Sequence, residues 1–181
     1  MKKNYNLWSF LLTLFCIGLC GYWVYSNVYN TWQVTPPIYV LLLISVAAFF
    51  LAILGFKNTN SIWSAVRNWI AVILSSVLSL LLSFIFLLWL LISSLGGNEH
   101  IKTIHSPDGH YTIDFYLWDQ GAAGTFGIRG ELNGPLWFKK YIYLEKRTED
   151  IDVKWISNSK VSINNHVLDL DAGDTYGYRV K

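Results

Sequence analysis

The sequence predicts a membrane α + β protein, with three transmembrane helices followed by a small antiparallel β meander or sandwich. Three long apolar runs without a charged residue occupy the first half of the chain. About 20 apolar residues suffice for a helix to cross a bilayer. The second half instead alternates apolar and polar residues, as half-buried strands do. We therefore expect a membrane domain over residues 1–97 and an extracytoplasmic β domain over residues 98–181.

The apolar runs place the transmembrane helices at about residues 7–25, 38–56 and 70–95. The first run resembles a signal peptide in length, but it ends in the aromatic cluster at residues 22–25 and lacks a small-residue cleavage site. Aromatic residues are typical of the membrane interface. The sequence therefore favours a retained first helix.

Small residues mark one face on each of the second and third helices. Ser75, Ser79 and Ser83 recur every fourth residue, which places them on one helix face. Ala48 and Ala52 are spaced in the same way on the second helix. Small side chains let membrane helices approach closely, so we expect these two faces to pack together. In the alternative, the serines face lipid and bond to their own helix.

Charge indicates the topology. Before Glu99 the charged residues are Lys2, Lys3, Lys57 and Arg67, and all 12 acidic residues lie at Glu99 or later. Cytoplasmic segments of membrane proteins are rich in Lys and Arg. We therefore expect a multi-pass cell-membrane protein, with a cytoplasmic N-terminus and second link and with the C-terminal domain outside. The tail has no basic stripe, so the predicted partners are the lipid bilayer and another protein, and not nucleic acid.

The tail contains the pattern of about six or seven strands. The alternation is clearest at residues 111–118, and turn signals separate further strands. These strands are expected at about residues 125–132, 140–145, 151–156, 160–163 and 166–170. Large aromatic residues fill small cores well. Trp118, Trp137 and Trp155 are the candidates for this role.

A turn signal at residues 106–109 predicts a hairpin before the second strand. A three-residue loop would place Ser106 opposite His110 and Lys102 opposite Asp114. In that register His100 and His110 share a face and His105 lies on the other. We therefore do not expect these histidines to converge on a zinc ion.

The tail also resembles a known family. The runs SPDGHYTIDFYLWDQGAAGTFGIRGEL, WISNSKVSINNHVLDL and DTYGYR are similar to the C-terminal region of a family of small Gram-positive bacterial membrane proteins with a domain of unknown function. The resemblance covers roughly residues 98–179. It implies a bacterial cell-membrane protein, and the family brings no catalytic residues with it.

A glycine-rich segment at residues 119–132 is the candidate interaction loop. Gly121 and Gly124 would permit close approach by a ligand or another chain, and Arg129 and Glu131 lie nearby. The alternative is a structural loop with β-bulges and close backbone packing. The segment lacks the G-K-[ST] of a phosphate loop and the G-x-G of a dinucleotide site, so no cofactor is expected.

The acidic turn near the C-terminus is a weak candidate metal site. Asp169, Asp171 and Asp174 are closely spaced carboxylates, which suit calcium, but the turn departs from the EF-hand pattern. Solvated turn acids are the favoured interpretation. Cys16 and Cys20 lie one helical turn apart in the first apolar run and are expected to pack there.

These features predict a protein that is not an enzyme and that presents its β domain for binding or interaction. Sensing, self-protection against a secreted toxin and service as an accessory subunit would all fit. One alternative is an envelope metal-dependent hydrolase that uses residues 169–174 with His166. Another is a transporter or assembly-factor subunit in which the helices are functional, although the predicted spans contain no ionisable residue for an ion pathway.

Overall fold

The structure is a computed structural model that describes residues 4–58, 61–95, 97–119 and 124–178. Three helices, α1 (Tyr5–Tyr29), α2 (Ile38–Gly55) and α3 (Ile62–Leu95), are each long and apolar enough to cross a membrane. A short 3₁₀ turn, Phe56–Asn58, follows α2. The predicted helical half of the fold class is confirmed.

Helix α3 begins eight residues earlier than the apolar pattern predicts. Ser61 Oγ accepts a hydrogen bond from the Ser64 backbone N–H at 3.2 Å, and Ser64 Oγ accepts one from the Ser61 N–H at 3.3 Å. Such reciprocal capping satisfies amide groups that a helix start otherwise leaves unpaired. The cap, rather than the first apolar residue, therefore fixes where α3 begins.

The chain forms two compact units. The first contains Met1–Val24 and Thr35–Leu90, and the second contains Tyr25–Val34 and Leu91–Lys181. The second unit therefore includes most of the link between α1 and α2 as well as the C-terminal tail. The sequence reasoning assigned that link to the membrane domain of residues 1–97.

Small and hydroxyl side chains fill the interior of the helical unit. Ser45, Ala48, Ala52 and Ser75 are fully buried. Ser79 Oγ donates a hydrogen bond to Ser45 Oγ at 3.1 Å, which joins α3 to α2. Small residues permit this close approach, and a hydroxyl pair between helices adds to it. Ser83, the last serine of the predicted stripe, is half-buried.

Helix α1 adds a polar face that the sequence reasoning missed. Asn6, Ser9 and Thr13 are buried and lie three or four residues apart, on one side of the helix. Thr13 Oγ1 donates to the Ser9 carbonyl at 2.8 Å, so its hydroxyl is satisfied within its own helix. Further along this side, Cys16 joins Leu41 and Leu82 in a buried apolar cluster.

The described part of the tail folds into seven antiparallel strands, which confirms the β half of the predicted fold class. Four of them form one sheet in the order β1-β2-β3-β4, and three form a second sheet in the order β5-β6-β7. The strands are β1 (Asn98–His105), β2 (Thr112–Asp119), β3 (Phe126–Asn133), β4 (Lys139–Lys146), β5 (Val153–Trp155), β6 (Lys160–Ile163) and β7 (His166–Asp169).

Both sheets contribute to one core, whose largest buried side chains are Tyr143 and Phe115. Of the three tryptophans expected there, only Trp155 packs against it. Trp118 is outside the core because it alternates with Leu117, which packs against the core, and so points to the other face of β2. Trp137 precedes β4 in a turn and is 47% exposed.

The first hairpin differs from the predicted register by one residue. His105 pairs with Thr112 and Thr103 pairs with Asp114, so Lys102 does not face Asp114. The loop is one residue longer because the Ser106 N–H donates to the Tyr111 carbonyl at 2.9 Å. Asp108 Oδ1 also accepts the His110 N–H at 3.1 Å, an arrangement that stabilises the longer turn.

This register also changes the predicted placement of the histidines. A β-bulge lies between His100 and Lys102, and His100 pairs with Tyr116 while His105 pairs with Thr112. Because Tyr116 and Thr112 are four residues apart on β2, His100 and His105 share one face of the sheet. The expectation that they lie on opposite faces was wrong.

Two separate pieces of the chain cover the outer edge of β4. The Gln33 N–H donates to the Lys139 carbonyl at 2.8 Å, and the Lys139 N–H donates to the Gln33 carbonyl at 3.3 Å. At the other end, the Leu144 N–H donates to the Tyr176 carbonyl at 2.9 Å. Covering an edge removes a row of unpaired backbone groups. The α1–α2 link therefore folds as part of the β domain.

Replacing Ser79 with leucine tests the packing between α2 and α3. A leucine cannot fit against Ser45 without displacing a helix, and overpacking typically costs about 1–3 kcal/mol. We expect Ser79→Leu to insert normally and to lower the thermal unfolding temperature of the detergent-solubilised protein. Ser94→Leu is the control, because Ser94 is exposed and its hydroxyl donates to the Leu91 carbonyl of its own helix. Equal unfolding temperatures for the two variants would contradict this packing.

Replacing Gln33 with proline tests the pairing of the link with β4. Proline has no N–H, so the bond to the Lys139 carbonyl is lost. With a net contribution of about 1 kcal/mol for one hydrogen bond, amide exchange in residues 136–142 should accelerate about fivefold. Gln33→Ala keeps the N–H and is the matched control. Unchanged exchange in the proline variant would show that the pairing contributes nothing.

Candidate binding surface on the β domain

Three charged side chains meet on the face of the four-stranded sheet that points away from the core. Arg129 and Glu131 alternate with core residues on β3, and Lys139 begins β4. Arg129 Nη2 lies 2.8 Å from Glu131 Oε1, and Lys139 Nζ lies 3.0 Å from Glu131 Oε2. The Glu131 side chain is only 5% exposed. A buried carboxylate is stable only when it is paired, and here two cations neutralise it.

Tyrosine rings surround these cations. The Arg129 guanidinium lies 5.7 Å from the ring centroid of Tyr116 and 5.3 Å from that of Tyr141. Lys139 Nζ lies 5.6 Å from the Tyr141 centroid. A cation at this distance from an aromatic face is attracted to it. We name Arg129, Glu131, Lys139, Tyr116 and Tyr141 together the Arg129 cluster.

The electrostatics favour the protonated forms of Lys139 and Tyr116. Burial lowers the pKa of Lys139, but the neighbouring Tyr141 and Glu131 outweigh burial, so its pKa is raised above the usual value. Burial, followed by the negative charges of Glu131 and Asp114, raises the pKa of Tyr116. The lysine therefore remains protonated and the tyrosine keeps its hydroxyl proton. The cluster holds two cations and one carboxylate in fixed positions.

Asp114 ties the first three strands together beside this cluster. Its Oδ1 accepts the Thr103 hydroxyl of β1 at 2.5 Å, and its Oδ2 accepts the Asn133 amide of β3 at 2.7 Å. Burial alone would raise the pKa of Asp114, but these hydrogen bonds and nearby His100 bring it below its ordinary value. Asp114 is thus a cross-strand acceptor that fixes the sheet surface.

The glycine-rich segment is described only in part. Gly121 lies outside the described residues, and Gly124 is exposed in the stretch before β3. Within β3, a Cβ atom at Gly130 would come within 3.0 Å of the Phe115 ring, so this glycine permits close core packing. Of the four interaction candidates, the structure brings Arg129 and Glu131 together.

The carboxylates of the acidic turn point to different partners. Asp169 Oδ1 accepts the Asp171 N–H at 3.2 Å, and Asp169 Oδ2 lies 3.2 Å from Lys160 Nζ. Asp174 Oδ2 accepts the Asp169 N–H at 3.1 Å, while Asp171 Oδ1 accepts the Tyr111 hydroxyl at 2.5 Å. Among the described residues, no three His, Cys, Asp or Glu side chains are grouped to hold a metal ion. These acids stabilise the turn.

Sequence reasoning missed Lys139, Tyr116 and Tyr141. Tyr116 lies on the polar face of β2 together with Asp114, and Lys139 and Tyr141 are two residues apart on β4. Residues two apart on a strand lie on the same face. This alternation was visible in the sequence. The pairing of β4 with β3, which brings Tyr141 opposite Glu131, was not.

Removing the buried carboxylate tests how the cluster is held. Glu131→Leu leaves Arg129 and Lys139 close together without a counter-charge, and we expect a loss of about 1–3 kcal/mol in unfolding free energy. Urea unfolding of the solubilised full chain, followed by near-ultraviolet circular dichroism, measures this loss.

Asp152→Ala is the control for Glu131→Leu. It breaks the Asp152–Lys154 ion pair, whose side chains are 66% and 76% exposed. Such exposed pairs contribute little to stability because solvent screens them. Equal losses for the two variants would show that Glu131 does not hold the cluster together.

Comparisons with known proteins identify a family but no characterised relative. No curated protein and no solved structure matches the chain. A family profile described as a family of unknown function, DUF5412, matches residues 65–181. The match covers residues 98–181 of the β domain and most of α3. It is therefore longer than the resemblance noted in the sequence, which covered roughly residues 98–179. This chain therefore belongs to the DUF5412 family of unknown function.

Proposed function

We propose that this protein is a bacterial cell-membrane protein that is not an enzyme and that holds its β domain outside the cell to bind another protein. The Arg129 cluster is the observation that carries the proposal. Arg and Tyr contribute a large share of the energy in protein interfaces. Side chains that are already ordered lose little entropy on binding. The cluster provides both residue types in fixed positions.

The sheet edge beside the cluster extends the proposed surface. β1 is the edge strand of its sheet, and among the described residues only β2 pairs with it. Its outward-facing His100 and His105 lie on the same face as the Arg129 cluster, because they pair with Tyr116 and Thr112. An extended segment of a partner can add to such an edge while its side chains contact the adjoining face.

Two observations support an extracytoplasmic location. The basic residues of the helical half lie near the N-terminus, after α2 (Lys57) and near the start of α3 (Arg67), as expected for cytoplasmic ends of membrane helices. The α1–α2 link has no charged residue and pairs with β4. Three crossings would place this link and the tail on the opposite side from the N-terminus.

The alternatives have less support. A metal-dependent hydrolase would need the acidic turn to offer free ligands, yet Asp169 and Asp174 accept backbone N–H groups of that turn. The role of the helices as a transporter or assembly-factor subunit has one favourable observation. The Asn68 carboxamide is fully buried and finds no hydrogen-bond partner among the described residues. Buried polar groups within membrane segments often mark functional positions.

Labelling of intact cells tests the orientation. Ile156→Cys places a thiol on an exposed turn of the β domain, and Trp63→Cys places one near the start of α3, where the native side chain is 83% exposed. We expect a membrane-impermeant maleimide to label position 156 and not position 63, with both labelled after permeabilisation. The parent protein gives the background from Cys16 and Cys20. Labelling of position 63 alone would reverse the topology.

Photo-crosslinking in cells tests the binding surface. A photoreactive residue at His105, on the face of the Arg129 cluster, should form a discrete adduct. The same residue at Val167, which is 56% exposed on β7, should not. Loss of a central arginine typically costs 2 kcal/mol or more, so Arg129→Ala should reduce the adduct about 30-fold. Equal adducts at both positions, or an adduct insensitive to Arg129→Ala, would refute this surface.

A further inference from the structure

We propose that the turn before β4 inserts its apolar side chains into the lipid bilayer interface. This apolar turn comprises Pro135, Leu136 and Trp137, all of which are exposed. Leu136 is 82% exposed and Trp137 is 47% exposed. These two large apolar side chains are adjacent, and Leu136 is more exposed than Ile156 (58%) or Val167 (56%) elsewhere on the domain. The proposal is independent of the protein-binding surface.

The backbone of the turn holds Leu136 outward at a cost. Leu136 has a φ of 59°, in the left-handed region that favours glycine. A residue other than glycine in this region is strained, because its Cβ crowds the neighbouring backbone. Strain of this kind persists where the surrounding structure imposes it, and it is frequent at functional positions. The turn therefore presents a leucine to its surroundings where a glycine or asparagine would be less strained.

Direct contacts attach the turn to the α1–α2 link. The Trp137 indole N–H donates to the Val34 carbonyl at 3.0 Å. A Cβ atom at Gly134 would lie 2.8 Å from the Trp32 ring, so glycine permits this ring to pack on the turn. The Gln33–Lys139 pairing lies between these two contacts. The turn and the link therefore share one location.

The length of α2 places that location at the bilayer surface. Helix α2 has 18 residues and so spans about 27 Å at 1.5 Å per residue. The hydrocarbon core is about 30 Å thick, so both ends of α2 must lie at its boundaries. Val34 precedes Ile38, the first residue of α2, by four positions, or at most about 13–14 Å of extended chain. Trp137 is hydrogen-bonded to Val34. Because Val34 can lie no farther than this from the end of α2, Trp137 is within reach of the lipid headgroups.

The chemistry of the turn fits this interface. Tryptophan is enriched there because its ring is apolar while its N–H remains bonded, here to Val34. The two lysines that follow the turn already have partners, since Lys139 Nζ bonds to Glu131 and Lys140 Nζ bonds to the Gly173 carbonyl. The interaction is thus apolar, and it should not require anionic lipid.

A fluorescent probe on the full chain tests the proposal. Leu136→Cys, labelled with nitrobenzoxadiazole, is reconstituted in phosphatidylcholine nanodiscs with one protein per disc. We expect blue-shifted emission and strong quenching by lipids that carry a nitroxide near the headgroup. Ile156→Cys is the matched control, since Ile156 is also an exposed apolar residue in a turn, at 58% exposure. The label at position 156 should emit as in water. The parent protein, which lacks both introduced cysteines, gives the background labelling.

Each of the following three outcomes would overturn the proposal. Equal emission and equal aqueous quenching at positions 136 and 156 would place the turn in water. Protection of position 136 only in native membranes would indicate a protein occupant. Protection that appears only with two copies per disc would indicate a contact between copies. Circular dichroism of each labelled variant verifies that the β domain remains folded.

Discussion

The backbone pairing of Gln33 with Lys139 is the constraint on which the rest of this structure depends. It joins a segment between two hydrophobic helices to a strand more than a hundred residues later in the chain. Asn30 strengthens the connection by donating its side-chain amide to the Tyr141 carbonyl at 3.0 Å. The β domain is consequently joined to the apolar helices at two points of the chain, through α3 and through this link. The same strand also supplies Lys139 and Tyr141 to the Arg129 cluster.

Local pattern was sufficient to predict the kind and order of the elements. Helix α2 and strand β6 begin where the sequence indicates, because apolar length and period-2 alternation are properties of the segment itself. The start of α3 was missed because a Ser61–Ser64 cap outweighs the polarity of the residues that follow. The hairpin register was missed because Asp108 stabilises a longer turn than glycine alone indicates. Both errors arise from side-chain hydrogen bonds to the backbone, which periodicity does not record.

Contacts distant in sequence were beyond prediction. Arg129 and Glu131 stood out as charges beside a glycine-rich segment, but their partners lie on β2 and β4. No local signal connects Gln33 to Lys139, since an uncharged link between helices has the same composition whether it pairs with a strand or not. The seam between α2 and α3 was accessible because small residues repeat at helical spacing. Apolar helices are expected to bury apolar residues, but α1 buries the polar side chains of Asn6, Ser9 and Thr13. Composition alone does not reveal this face, because these residues are few within an apolar segment.

The edge of β4 also has a consequence for biogenesis. Its two covering segments, around Gln33 and Tyr176, are synthesised at opposite ends of the protein. The ribosome completes the α1–α2 hairpin long before β4 exists, so the backbone groups of Gln33 are solvated until β4 is made. When the tail is synthesised, it meets a pairing segment that already lies between two completed helices. Closing so long a loop costs entropy, and a pairing segment whose two ends are already in helices has less conformational freedom left to lose.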